Sequence, residues 1–154
     1  MGVLKYGQVK GPVVSQEFPV AASTIFGHDS GCFVQMNTSG HILMADATST
    51  DIIGWAITGD FTASSTAGQT KVPVNLSHDA VYEMPIDTAR TEAQLIALVG
   101  ITCDIVVTSN VQYADYDATS VNILQIVGYN YYGSALGQQT VLVKLYVPNL
   151  TTQA

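Results

Sequence analysis

The stretch Cys32-Phe33-Val34-Gln35-Met36-Asn37-Thr38-Ser39-Gly40-His41-Ile42-Leu43-Met44-Ala45 decides the fold class. Two apolar runs, each too short for a helix, flank a polar tetrad. Asn37 supplies an Asx-turn acceptor and Gly40 the freedom to take φ > 0, so the tetrad is a turn and the runs are paired strands. Beyond a polar loop at 46–51, Ile52-Ile53-Gly54-Trp55-Ala56-Ile57 is apolar almost throughout. A strand of that composition is buried on both faces.

The two-residue period continues outward. After a Gly/Ser/Thr/Ala-rich loop at 60–70, Lys71-Val72-Pro73-Val74-Asn75-Leu76 alternates, with Val72, Val74 and Leu76 inward. Pro73 has no N–H to give a ladder, which predicts an edge strand or a bulge. In the strand 80–86, Tyr82, Met84 and Ile86 share one face. Ile101, Cys103, Ile105 and Val107 alternate with polar residues, and further strands are expected at 121–128 and 141–147, with Tyr129-Asn130-Tyr131-Tyr132-Gly133 as a loop between them. A single helix is expected at 91–99. Thr91 and Gln94 fit a capping box, Leu95, Ile96, Leu98 and Val99 form an apolar face, and Gly100 is the stop. The count, about eight strands and one short helix with no internal repeat, predicts an all-β fold. That fold is a small, mainly antiparallel β-barrel or sandwich over residues 21–150, with a short tail at 151–154.

Residues 1–20 carry Gly2, Gly7, Gly11, Pro12 and Pro19 with little periodicity and read as an extended N-terminal arm. Their apolar side chains, Val13, Val14, Phe18, Pro19 and Val20, have no periodic face of their own. They are the candidate interface residues, expected to meet a partner, with folding back onto the chain's own body as the competing arrangement.

Composition narrows the function. Only 11% of residues are charged, against about 25% in an average soluble domain. A surface solvated by hydroxyls and amides is common in secreted β-domains, in virion proteins and in subunits that bury much of their exterior in an assembly. The net charge is −7 and no Lys/Arg cluster is present, so nucleic-acid binding is not expected. No apolar run is long enough to span a membrane, and the first residues have no apolar h-region of a signal peptide. Cys32 and Cys103 sit in apolar strand patterns that explain them as small core residues, so they are expected to be unpaired.

The chemistry-bearing residues are sparse. His28, Asp29, Cys32 and His41 come nearest to a metal cluster, but His28-Asp29-Ser30-Gly31 reads first as a turn and Cys32 opens an apolar strand. No Gly-x-Ser-x-Gly elbow is present, and Asp115 and Asp117 are too close in sequence to face one another across a cleft. No catalytic, cofactor-binding or metal-ligating residue is assigned, and no enzymatic activity is expected. Tyr113, Tyr116, Tyr129, Tyr131 and Tyr132 cluster in sequence. They read either as an aromatic contact platform or as the ordinary rim of a β-domain.

Residues 27–42 together with Ile53-Gly54-Trp55-Ala56, Lys71-Val72-Pro73-Val74 and Thr140-Val141-Leu142-Val143-Lys144-Leu145 resemble strands of tailed-bacteriophage capsid decoration proteins, also called cement or head-stabilising proteins. The resemblance implies a β-barrel-like homotrimer made in the host cytoplasm. It implies binding to the major capsid protein on the capsid exterior of the virion, with no catalytic residues and no cofactor. The alternative function is a carbohydrate- or receptor-binding β-module of a phage fibre or tail.

Overall fold

The computed structural model describes residues 7–27, 31–49, 52–117 and 123–146. Short apolar runs broken by turns make thirteen strands and one helix among these residues. The first strands are β1 (Gly7–Lys10), β2 (Ser15–Pro19), β3 (Ile25–Phe26), β4 (Cys32–Met36), β5 (Ile42–Met44) and β6 (Ile52–Ala56). Then come β7 (Phe61–Thr62), β8 (Lys71–Asn75), β9 (Val81–Pro85) and helix α1 (Glu92–Ile96). The last are β10 (Thr102–Thr108), β11 (Val111–Asp115), β12 (Leu124–Tyr131) and β13 (Gln139–Leu145). The all-β class with one short helix is as the sequence predicts.

Two antiparallel sheets form a sandwich-like arrangement. One has the order β1-β9-β13-β12-β10-β11 and the other β2-β8-β6-β4-β5; β3 and β7 make a separate pair. Both large sheets curl. In the first, a parallel bridge between Ile86 and Ala114 brings β11 to the end of β9. In the second, a parallel bridge between Val20 and Ile42 brings the end of β2 to β5.

Each curled sheet encloses its own apolar cluster. Met84, Ile86, Cys103, Ile105, Leu124, Ile126, Val141 and Val143 fill the first. Val20, Phe26, Cys32, Val34, Ile42, Ala56, Val72 and Val74 fill the second. The alternation along β4 and β6 explains their unbroken apolar sequence. Cys32, Val34 and Ala56 point into the second cluster, while Phe33 and Trp55 point to the first. At this seam Trp55 stacks on Tyr82 at 4.5 Å between ring centroids, and Phe33 meets both rings edge-on at 4.8 and 5.1 Å. Offset-stacked and edge-to-face pairs are the arrangements aromatic quadrupoles favour. Gly54 is required where β6 passes β8, since a Cβ there would stand 2.1 Å from the Asn75 carbonyl oxygen.

Several local expectations are corrected. Pro73 does not mark an edge, because β2 pairs along the far side of β8 and places Glu17 opposite Pro73. The Pro73 carbonyl accepts from Ile57 N at 2.8 Å, so the missing N–H lies on the side of β6. There the β6–β8 ladder spans only Trp55↔Asn75 and Ala56↔Val74. Residues 129–131 are strand rather than loop: β12 runs on through Tyr129↔Val141, Asn130↔Thr140 and Tyr131↔Gln139. Val111–Asp115 is also a strand. Tyrosines suit a half-buried pleated surface, and that tertiary setting outweighs the turn preference of Asn and Gly. The helix has its capping box as read from the sequence but is a residue or more shorter at each end than 91–99.

The segment read as an arm is woven into the body. β1 pairs with β9 and β2 with β8. Besides these ladders the segment is tied down by Asn75, which is fully buried. Its Oδ1 accepts from Val14 N at 3.0 Å, and its Nδ2 donates to Gln8 Oε1, Pro12 O and the Tyr82 hydroxyl at 3.1–3.2 Å. One amide thus fixes three points of the segment 8–14.

Candidate functional site

The five candidate interface residues part company. Val20 is buried and Phe18 packs on the second cluster, so both serve the chain's own core. Pro19 is half-buried beside Gly68. Val13 and Val14 are each 58% exposed, and Val9, extruded by a bulge between Gln8 and Lys10, is exposed too. The exposed apolar side chains of the segment are therefore Val9, Val13 and Val14, on a backbone held by Asn75.

Around the helix lies a shallow cleft of about 270 Å³ lined by Ala89, Arg90, Thr91, Gln94, Tyr131 and Ser134. It is built from below by Gln139, which is fully buried. Its Oε1 accepts from Arg90 N at 2.6 Å, and its Nε2 donates to the carbonyls of Gly133 and Ser134 at 3.2 Å. The approach to α1 and the turn after β12 are thereby held together. Arg90, the only arginine in the chain, lies with its guanidinium carbon 4.2 Å from the ring centroid of the buried Tyr116. Its Nε donates to the Tyr116 hydroxyl and one terminal nitrogen reaches Asp117 at 3.4 Å. The Tyr116 acceptor, with smaller help from Asp117, holds the guanidinium in its charged form.

The clustered tyrosines do not form one platform. Tyr113 lies on β11 opposite Val106, and Tyr116 supports Arg90. Tyr129 donates to Glu92 at 3.3 Å, tying β12 to α1. Tyr131 packs on the first cluster and walls the cleft. Tyr132 donates to Glu83 at 3.0 Å. That carboxylate, mostly buried on the outer face of the first sheet, also accepts from Asn130 and Thr140 at 3.0 and 2.6 Å.

Comparison with protein-family models, with curated proteins and with solved structures gave no match.

The residues weighed as metal ligands are not brought together. Cys32 is buried in the second cluster, His41 lies against Gly68, and His28 and Asp29 fall outside the described residues. Among the described residues no group of three or more His, Cys, Asp or Glu could hold a metal ion. Asp115 pairs across the ladder with Asp104, whereas Asp117 turns to Arg90. Sequence reading missed Arg90, Gln139 and Asn75. For Asn75, a lone polar residue between Val74 and Leu76 was the available signal; Gln139, flanked by Gln138 and Thr140, gave none.

Proposed function

We propose that this chain is a structural virion subunit of the decoration type, binding the major capsid protein on the exterior of a tailed-phage capsid as a homotrimer. The observation that carries the reading is the exposure of Val9, Val13 and Val14 on a segment pinned by a buried amide. Burying a large aliphatic side chain gives roughly 1.5–3 kcal/mol. A free arm would have to offset about 1–2 kcal/mol of backbone entropy per ordered residue on docking. Here that ordering is already supplied by β1, β2 and Asn75, so the valines dock on a preorganised support. The sparsely charged surface agrees with a subunit that covers much of its exterior in an assembly.

Deleting residues 1–20 removes β1 and β2 and so tests folding rather than docking. The sharper experiment is the double substitution Val13→Ser and Val14→Ser, in which both changed side chains are exposed. Co-sedimentation with expanded capsids of the encoding phage should fall to background for this variant, with an unchanged circular dichroism spectrum. Undiminished occupancy on the capsid would overturn the reading.

A further inference from the structure

We propose that the cleft beside α1 binds one ring of a neutral saccharide, with Arg90, Gln94, Ser134 and Tyr131 as its contacts. The inference does not depend on the decoration reading, since it uses none of the valines. The backbone N–H groups at the start of the helix take no part. Arg90 N is bonded to Gln139, Thr91 N to Gln94 Oε1 and Gln94 N to Thr91 Oγ1.

What is left unspent are side-chain groups. The Arg90 guanidinium uses its Nε and one bond of a terminal nitrogen, which leaves donors on the other terminal nitrogen. The Gln94 amide accepts from Thr91 through its oxygen and keeps its NH₂. Ser134 and Tyr131, whose hydroxyls can both donate and accept, are the other polar residues of the lining with Thr91. Asp117, 67% exposed, adds an acceptor beside Arg90. The lining thus combines donors, acceptors and one aromatic residue, Tyr131, the mixture of groups that suits the hydroxyls and C–H face of a sugar ring.

Charge and size choose among ligands. The cation is already opposed by Asp117 and the whole chain carries −7, which disfavours an anion. At about 270 Å³ the cleft is below the roughly 300–1,000 Å³ of drug-sized pockets, so it holds a single ring rather than an extended chain. The site is preorganised, because Arg90 rests on a buried ring and its backbone on a buried glutamine.

The test is an amide-resolved NMR titration of the full chain with glucose, galactose, mannose and glucuronate at millimolar concentrations. Saturable shifts confined to Arg90, Gln94, Ser134 and their neighbours with at least one neutral hexose are expected. Arg90→Lys, which keeps the charge and loses the fork, should weaken that binding about tenfold. Ser134→Ala, at an exposed position, should weaken it less and leave the spectrum otherwise unchanged. Absence of saturable shifts with every neutral hexose, binding of glucuronate alone, or equal affinity in Arg90→Lys would each overturn the proposal.

Discussion

The side chain of Gln112 on β11 completes the backbone hydrogen bonding of Phe33 on β4. Its Oε1 accepts from Phe33 N and its Nε2 donates to Phe33 O, both at 2.9 Å, and Nε2 also donates to Ala45 O at 2.8 Å. One fully buried amide acts as a length of strand joining the two sheets. Leaving buried backbone groups unpaired costs about 1–3 kcal/mol each. Gln112→Ala and the similarly sized Gln112→Met should therefore both lose about 3 kcal/mol or more in urea unfolding. A loss for Gln112→Met well under that for Gln112→Ala would mean that volume, not hydrogen bonding, is what Gln112 supplies.

Asn75 makes the corresponding link for the N-terminal segment. Asn75→Ala strands Val14 N and the Tyr82 hydroxyl, and should destabilise by about 2 kcal/mol while exposing residues 8–14 to limited proteolysis. Tyr82→Phe loses one of these bonds and should cost about 1 kcal/mol, with the segment still protected. Equal proteolysis of wild type and Asn75→Ala would show that the strand pairings alone hold the segment.

Both cysteines are free and buried, Cys32 in one cluster and Cys103 in the other. Burial pushes the Cys103 thiol up to about 12 and Cys32 further. The native chain should be inert to a thiol reagent at pH 8, and after unfolding without reductant two thiols should react. The folded state holds these protons more tightly than the unfolded state, whose thiols titrate near about 8.5. Stability is therefore full below that pH and declines as pH rises beyond it. A Cys32→Ala, Cys103→Ala variant should show a shallower alkaline decline in its thermal midpoint.

Asp87 has one buried carboxylate oxygen, Oδ1, without a partner. Burial first, then the charge of Asp115, raises its pKa above the ordinary carboxylate value. The native state therefore prefers the protonated form, and stability declines as pH rises from the unfolded value of about 3.9 through the raised native one. Asp87→Asn should be more stable than wild type at pH 7, by under about 1 kcal/mol because solvent screens much of the group. The advantage should vanish below about pH 4. A gain of the same size at pH 3 would point to a cause other than ionisation.

The sequence by itself determined the hairpin at 32–44, the unbroken apolar strand 52–56 and the capped helix, because turn chemistry, side-chain alternation and a capping box are local. It also determined that Trp55 and its neighbours are buried on both faces, since no solvated strand carries such a run. It could not say which face meets which cluster. That depends on two sheets curling separately, with β4 and β6 of the second lining both clusters at the seam, a matter of long-range pairing. The fate of residues 7–20 was likewise decided only in three dimensions. Glycines and prolines give them the look of an arm, but pairing with β9 and β8 and the buried amide of Asn75, more than sixty residues from its partners Val14 and Gln8, hold them on the body. The same holds for the cleft. Arg90, Tyr116 and Gln139 are dispersed along the chain, and only the pairing of β12 with β13 and the return of β11 to β9 bring an arginine, a ring and an amide to one place.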